Sequence, residues 1–425
     1  MSVRLPGLRL TDHRFEVPLD HEDPKKGRIE VFGREVVSAK PGSEDLPWLV
    51  FFQGGPGHGS PRPMSSTGWL GTATDSYRVF LLDQRGTGRS TPVLAQTMVG
   101  KSDDEIAEYL GYFRADSIVH DAEFIRRKLV GNDRWTGLGQ SYGGFCLTQY
   151  LSQAPEGLAA VLITGGIPPV FRSAEEVYQA TYLRLERRNR TYFERYPDDA
   201  ELLQRIARRL RSGGVSLPGG SSFSVRMLQQ LGLAFGMSDG FETVHYILEN
   251  AFVGVNGREE LSFRFLRHVE SQLDFEVCPI FAILHESIYA QGDATNWAAE
   301  RVRGDHPSFS PERTDQLYFT GEMIYPWMFE EYQELRFLGG AAEKLAQKAD
   351  WPQLYNVDRL ARNDVPIAAI SYDDDMYVER RFSEETAERI PKMKVWYTNE
   401  YDHNGLRADG DRIFRKLVAM TRDQR

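Results

Sequence analysis

The chain has 425 residues, 41% of them hydrophobic, with 51 Lys and Arg against 61 Asp and Glu and a formal net charge of −10. This is the make-up of a globular protein with a sizeable core, in two or three domains or in one large domain carrying an insertion. The acidic balance repels phosphate backbones and anionic lipid, and no apolar run reaches the ~18–20 residues that cross a bilayer, so neither nucleic acid nor membrane is an expected partner.

The opening segment MSVRLPGLRL is too short in its apolar part for a secretory signal. Two cysteines, Cys146 and Cys278, make neither a disulfide framework nor a four-thiolate zinc site, and a reducing cytoplasm is the expected location. Two arginine clusters, one at Arg184, Arg187, Arg188 and Arg190 and one at Arg205, Arg208, Arg209 and Arg211, read as solvated helix faces.

In chain order, Ile29, Val31, Val36 and Val37 alternate among charges, as in a half-exposed antiparallel hairpin at a sheet edge. Trp48 to Phe52 is a continuous apolar run that stops at Gly54-Gly55-Pro56-Gly57, and Arg78 to Leu82 repeats the plan before Asp83-Gln84-Arg85-Gly86. Helical spacing over 116–130, a strand from Trp135 to Leu138, a helix from Gly143 to Leu151 and a strand from Leu158 to Thr164 follow. Short buried runs alternating with amphipathic helices predict an α/β fold with a mostly parallel, doubly wound sheet.

The alternation stops between about 170 and 355, where Glu, Arg, Tyr and Leu recur at helical spacing around a Gly-Ser-rich break at 213–222. Strand-like runs resume at Val365 to Ile370 and at Lys394 to Tyr397, and a helix through Ile413, Phe414 and Leu417 closes the chain. The expected organisation is a sheet domain in two pieces, 1–169 and 356–425, with a mainly helical cap, 170–355, inserted between them.

Gly139-Gln140-Ser141-Tyr142-Gly143 fits G-x-S-x-G between a predicted strand and a predicted helix, the setting in which a strained turn presents a serine hydroxyl. A nucleophilic serine needs a base, and the base an orienting carboxylate, in the chain order Ser, acid, His. Asp373, Asp374 and Asp375 follow one late strand and His403 follows the next. Gln53 to Gly57 occupies the place of the second oxyanion loop, so the amides of Gly55 and Tyr142 are the expected oxyanion donors. His285-Glu286 is not a zinc signature, since Tyr289 stands where H-E-x-x-H requires histidine. No metal or cofactor is expected.

Gly54 to Gly57, Asp83-Gln84-Arg85-Gly86-Thr87-Gly88-Arg89-Ser90, the turn at 139–144 and His403-Asn404-Gly405-Leu406-Arg407 together resemble the proline iminopeptidase family of α/β-hydrolase-fold serine peptidases, in its larger-capped branch. The likeness runs over nearly the whole chain, with Gln53 standing where the family usually has His. The resemblance implies a catalytic set of Ser141, Asp375 and His403 acting on short peptides with an N-terminal proline. It places the acid at Asp375, with Asp373 and Asp374 as alternatives. It also implies cap glutamates that receive the substrate's amine. Glu286 and Glu322, each set among apolar and aromatic residues, are the candidates, and Tyr289, Tyr325, Trp327 and Phe329 either wall a pocket for the proline ring or pack the cap. An esterase or amidase of the same fold with no amine requirement is the alternative.

Overall fold

Three antiparallel strands, β1 (Ser2–Leu5), β2 (Leu8–Pro18) and β3 (Arg28–Ser38), arise from the alternating pattern at the start of the chain in the computed structural model, which describes residues 2–422. The continuous apolar runs become β4 (Trp48–Phe52), β5 (Arg78–Leu82), β6 (Trp135–Gln140) and β7 (Leu158–Thr164). A separate hairpin, β8 (Phe252–Val255) and β9 (Arg258–Leu261), precedes β10 (Ile367–Tyr372) and β11 (Met393–Thr398). Nine strands join in the order β1-β2-β3-β5-β4-β6-β7-β10-β11, antiparallel as far as the β3–β5 pair and parallel from β5 to β11.

The parallel strands are apolar throughout because both their faces are covered. Along β4, Trp48, Val50 and Phe52 point into one core with Phe145, Ile118 and Ile125 of the helices Tyr142–Gln153 and Ala115–Leu129. Leu49 and Phe51 point the other way, onto Leu70 of the helix Gly68–Ala73 and Ile413, Phe414 and Leu417 of Gly410–Thr421. The period of two thus feeds two layers, each large buried side chain contributing roughly 1.5–3 kcal/mol. No helix among the described residues is long and apolar enough to cross a membrane.

Between β7 and β10 the chain is mainly helical, opening with Ala174–Arg195, whose start is fixed by a capping box of Ser173 and Glu176. The hairpin β8–β9 is a strand pair within this mainly helical stretch that the periodicity does not resolve. Asn256 and Gly257, both at positive φ (49° and 77°), make its turn, and this Asn-Gly pair is the hairpin signal in the sequence. Arg184 also departs from the solvated face expected of its cluster. It is buried, and its guanidinium bonds both Glu379 oxygens and the Asp373 carbonyl, because the helix lies against the segment after β10. Arg188 donates to the Phe235 carbonyl and to Asp402, while Arg187 and Arg190 remain exposed.

Candidate active site

Ser141 follows β6 and immediately precedes the helix Tyr142–Gln153, with φ 54° and ψ −124°. A non-glycine residue holds such a conformation only when its surroundings fix it. Here its amide donates to the Thr164 carbonyl (2.9 Å) and its own carbonyl accepts from Gly144 (2.7 Å). A Cβ at Gly143 would lie 2.0 Å from the Phe52 carbonyl oxygen, so the second glycine of the motif is required for the helix to sit against β4. As the first helical residue, Tyr142 has an amide without an intrahelical acceptor.

The loop after β4 crosses the serine so closely that a Cβ on Gly54 would stand 2.9 Å from the Ser141 Cβ. The Gly55 amide has no hydrogen-bond partner among the described residues. Gln53 does not leave this loop unanchored, since Gln84 donates its side-chain amide to the Gln53 carbonyl at 3.0 Å. The rest of the Asp83–Ser90 run is scaffold. Asp83 is fully buried and accepts from the amides of Ser60 and Arg89 (both 2.8 Å) and from Arg62. Buried Arg85 holds Asp121 in a two-pronged pair (2.7 and 2.6 Å) and the carbonyls of Leu19 and Tyr112. An Asp and an Arg at the end of an apolar strand have to be paired in this way, and this was the signal for their structural role.

Of the three consecutive aspartates only Asp375 reaches His403. Its Oδ2 lies 2.7 Å from Nδ1, and its Oδ1 accepts from the amides of Tyr377 (2.8 Å) and Val378 (3.0 Å). Asp373 and Asp374 turn instead to Arg380 (3.0 Å) and Arg184 (3.2 Å). Burial opposes charge on the His403 imidazole, yet the carboxylates of Asp375, Glu322 and Asp402 hold its pKa above the usual histidine value. The helical stretch between β7 and β10 secures the loop that carries it. His403 N–H donates to the Gly236 carbonyl (3.0 Å), Asn404 accepts from Ser238, and Asp402 from Arg188.

Ser141, His403 and Gly55 line one cavity of about 820 Å³, together with Phe281, Glu322 and Tyr377. The two expected cap glutamates part here. Glu322 lies in this wall, and its carboxylate makes no hydrogen bond among the described residues, its nearest partner being His285 Nε2 at 3.6 Å. Glu286 lies elsewhere: it is buried, absent from the cavity lining, and its two oxygens accept from the amides of Ala298 (3.0 Å) and Ala299 (2.9 Å) at the start of the helix Ala298–Arg303. Burial raises its pKa. Turned to a helix terminus and away from the cavity, Glu286 does not stand where the expected amine would arrive.

The four aromatic residues take the packing role. Tyr289, Tyr325, Trp327 and Phe329 are buried in the packing, Tyr325 with its hydroxyl 2.8 Å from that of Tyr182 and its ring stacked on Trp327, and the cavity takes Phe281 and Tyr377 instead. Cys146 is buried in the helix after Ser141, and desolvation pushes its thiol pKa well up. No group of three or more His, Cys, Asp or Glu suited to a metal ion occurs among the described residues.

Residues 47–205 match the model of the α/β-hydrolase fold. The chain is 47% identical over 420 residues to a proline iminopeptidase of Aeromonas sobria, covering 99% of this chain and 98% of that one. It is 35% identical over 431 residues to a proline iminopeptidase of Aspergillus aculeatus, covering 99% and 95%. Among solved structures, that of proline iminopeptidase from Mycobacterium smegmatis aligns over 97% of this chain and 98% of its own at 14% identity, with a TM-score of 0.45. Full-length identity of this order to two named relatives places the chain in the proline iminopeptidase family.

Proposed function

We propose that the chain is a serine aminopeptidase that releases N-terminal proline from short peptides in the cytoplasm. Ser141 Oγ attacks the carbonyl carbon of the first residue while His403 Nε2 takes the hydroxyl proton, and Asp375 keeps the other ring nitrogen protonated. The oxyanion that forms receives the amides of Gly55 and Tyr142, an arrangement in which each donor typically contributes ~3–4 kcal/mol to the barrier. The tetrahedral intermediate collapses as the C–N bond breaks, His403 returns its proton to the departing peptide amine, and a prolyl ester remains on Ser141. Water then attacks the ester through the same base and oxyanion donors, freeing proline and restoring the serine hydroxyl.

The observation that carries this reading over a plain esterase is Glu322. A carboxylate with unused acceptor sites in the same cavity as the serine and the imidazole suits a charged secondary amine, whose two N–H groups otherwise lose their water. Phe281 and Tyr377 supply apolar surface for the pyrrolidine ring.

The test compares proline arylamide with N-acetylproline arylamide. Cleavage of the free-amine compound, absence of cleavage of the blocked one, and loss of activity in Ser141→Ala with an unchanged melting temperature are expected. Equal turnover of the two compounds establishes the esterase or amidase reading, and an active Ser141→Ala removes the serine from the mechanism.

A further inference from the structure

His285 is a buried titratable side chain that the mechanism above does not use. It stands at the end of the short helix Pro279–Leu284, only 1% exposed, behind the cavity wall and one turn beyond Phe281, whose ring lies 5.0 Å from its own. Its Nδ1 is 3.2 Å from the hydroxyl of Tyr178, also buried. Its Nε2 has no hydrogen-bond partner among the described residues and faces Glu322 Oε2 at 3.6 Å.

The tautomer follows from the partners. The Tyr178 hydroxyl has His285 as its one hydrogen-bond partner among the described residues, so its proton goes to Nδ1. Burial pushes the Tyr178 pKa well up, which keeps that proton on the phenol. A neutral imidazole that accepts at Nδ1 carries its hydrogen on Nε2. The reverse tautomer would aim a lone pair at a carboxylate and leave the phenol proton without an acceptor. The Nε2–H therefore points at Glu322, a few tenths of an ångström beyond hydrogen-bond length. Glu322 itself sits in an irregular segment with no other polar anchor among the described residues. A long acidic side chain there loses rotamer freedom when it binds an amine, and a fixed donor behind it reduces that loss.

We infer that His285, oriented by Tyr178, is the positioning residue for Glu322: its Nε2–H holds the carboxylate where the substrate's amino group arrives. The inference rests on the proposed function and extends it to the support of the amine site. It is an effect on substrate binding rather than on bond cleavage, because neither His285 nor Tyr178 lines the cavity.

The experiment measures KM and kcat for proline arylamide in full-length wild type, Glu322→Gln, His285→Phe, His285→Gln and Tyr178→Phe, and in His285→Phe and Tyr178→Phe each combined with Glu322→Gln. Glu322→Gln raises KM. His285→Phe raises KM about tenfold with kcat within about twofold, the size of one hydrogen bond to a charged group. His285→Gln, which retains an N–H donor, restores much of the loss. Tyr178→Phe, nearly isosteric and thus independent of any folding defect in His285→Phe, raises KM by about threefold. In the Glu322→Gln background neither replacement adds to KM. KM values unchanged by both His285→Phe and Tyr178→Phe, or increments as large without the Glu322 carboxylate as with it, overturn the inference alone. An unchanged KM in Glu322→Gln by itself overturns the amine-site reading and this inference with it.

Discussion

Replacing Asp375 by Asn tests the proposed catalytic set at the point where the geometry is most explicit. The carboxylate is 2% exposed and divided between two tasks: Oδ1 accepts from the amides of Tyr377 and Val378, and Oδ2 meets His403 Nδ1 at 2.7 Å. In Asp375→Asn the backbone amides still need an acceptor, so the side-chain carbonyl stays with them and the –NH2 turns toward the imidazole. Nδ1 must then accept, and the ring proton moves to Nε2, the atom that has to receive the proton of Ser141. Loss of the correct tautomer in triads of this kind lowers kcat about 10⁴-fold, equivalent to ~5.4 kcal/mol of barrier at 1.36 kcal/mol per tenfold. Steady-state kcat on proline arylamide, read beside the rate of Ser141 labelling by a fluorophosphonate and a melting curve, provides the assay. Asp373→Asn and Asp374→Asn, whose partners are Arg380 and Arg184, are expected to stay within about twofold of wild type. An Asp375→Asn enzyme within tenfold of wild type, with its fold intact, would refute the tautomer argument.

Three further outcomes follow from the geometry. Because His403 must be neutral to accept a proton and its pKa is held above the usual ~6.5, kcat/KM rises with pH through a midpoint above that value. Glu322→Gln removes one of the carboxylates that hold it up, so this acid limb moves to lower pH, and a limb that stays in place shows that Glu322 does not act on the imidazole. Glu286→Ala leaves the buried amides of Ala298 and Ala299 without acceptors and is expected to cost about 2–4 kcal/mol in denaturant-induced unfolding; a loss below about 0.5 kcal/mol contradicts the assigned role. Gly54→Ala forces a methyl group within 2.9 Å of the Ser141 Cβ and is expected to lower kcat about 10- to 100-fold without loss of folded protein, as circular dichroism and turnover together would show.

The parts of the molecule that the sequence makes legible are those whose cause is local. Trp48–Phe52 and Leu158–Thr164 read as buried strands because covering both faces of a parallel sheet makes every position apolar. Ser141 reads as an elbow because its neighbours must lack side chains, and His403 because chain order narrows the choice. The two glutamates show where this stops. His285-Glu286 and Gly321-Glu322 look alike in sequence, each an acid among apolar residues, and only the chain path decides which one faces the cavity. Glu286 meets the start of a helix that follows it, whereas Glu322 meets open space and the edge of His285. Arg184 is the same lesson in reverse: its helix face is polar in composition, but Glu379 and Asp373 arrive from the far side of the insertion to cover it. The hairpin at 252–261 is not read from the sequence, because its one signal, Asn256-Gly257, is two residues embedded in a stretch of helical periodicity.

The mooring of the His403 loop to residues 235–238 and Arg188 has a consequence for how the enzyme can be altered. A lid that merely roofs a reaction chamber is dispensable to the chemistry and can be trimmed or exchanged to admit bulkier substrates. Here the insertion also holds the backbone of the loop that carries His403, so a change that shifts it also shifts the imidazole against Asp375. Engineered widening of the chamber therefore has to spare that seam and begin at another edge of the insertion.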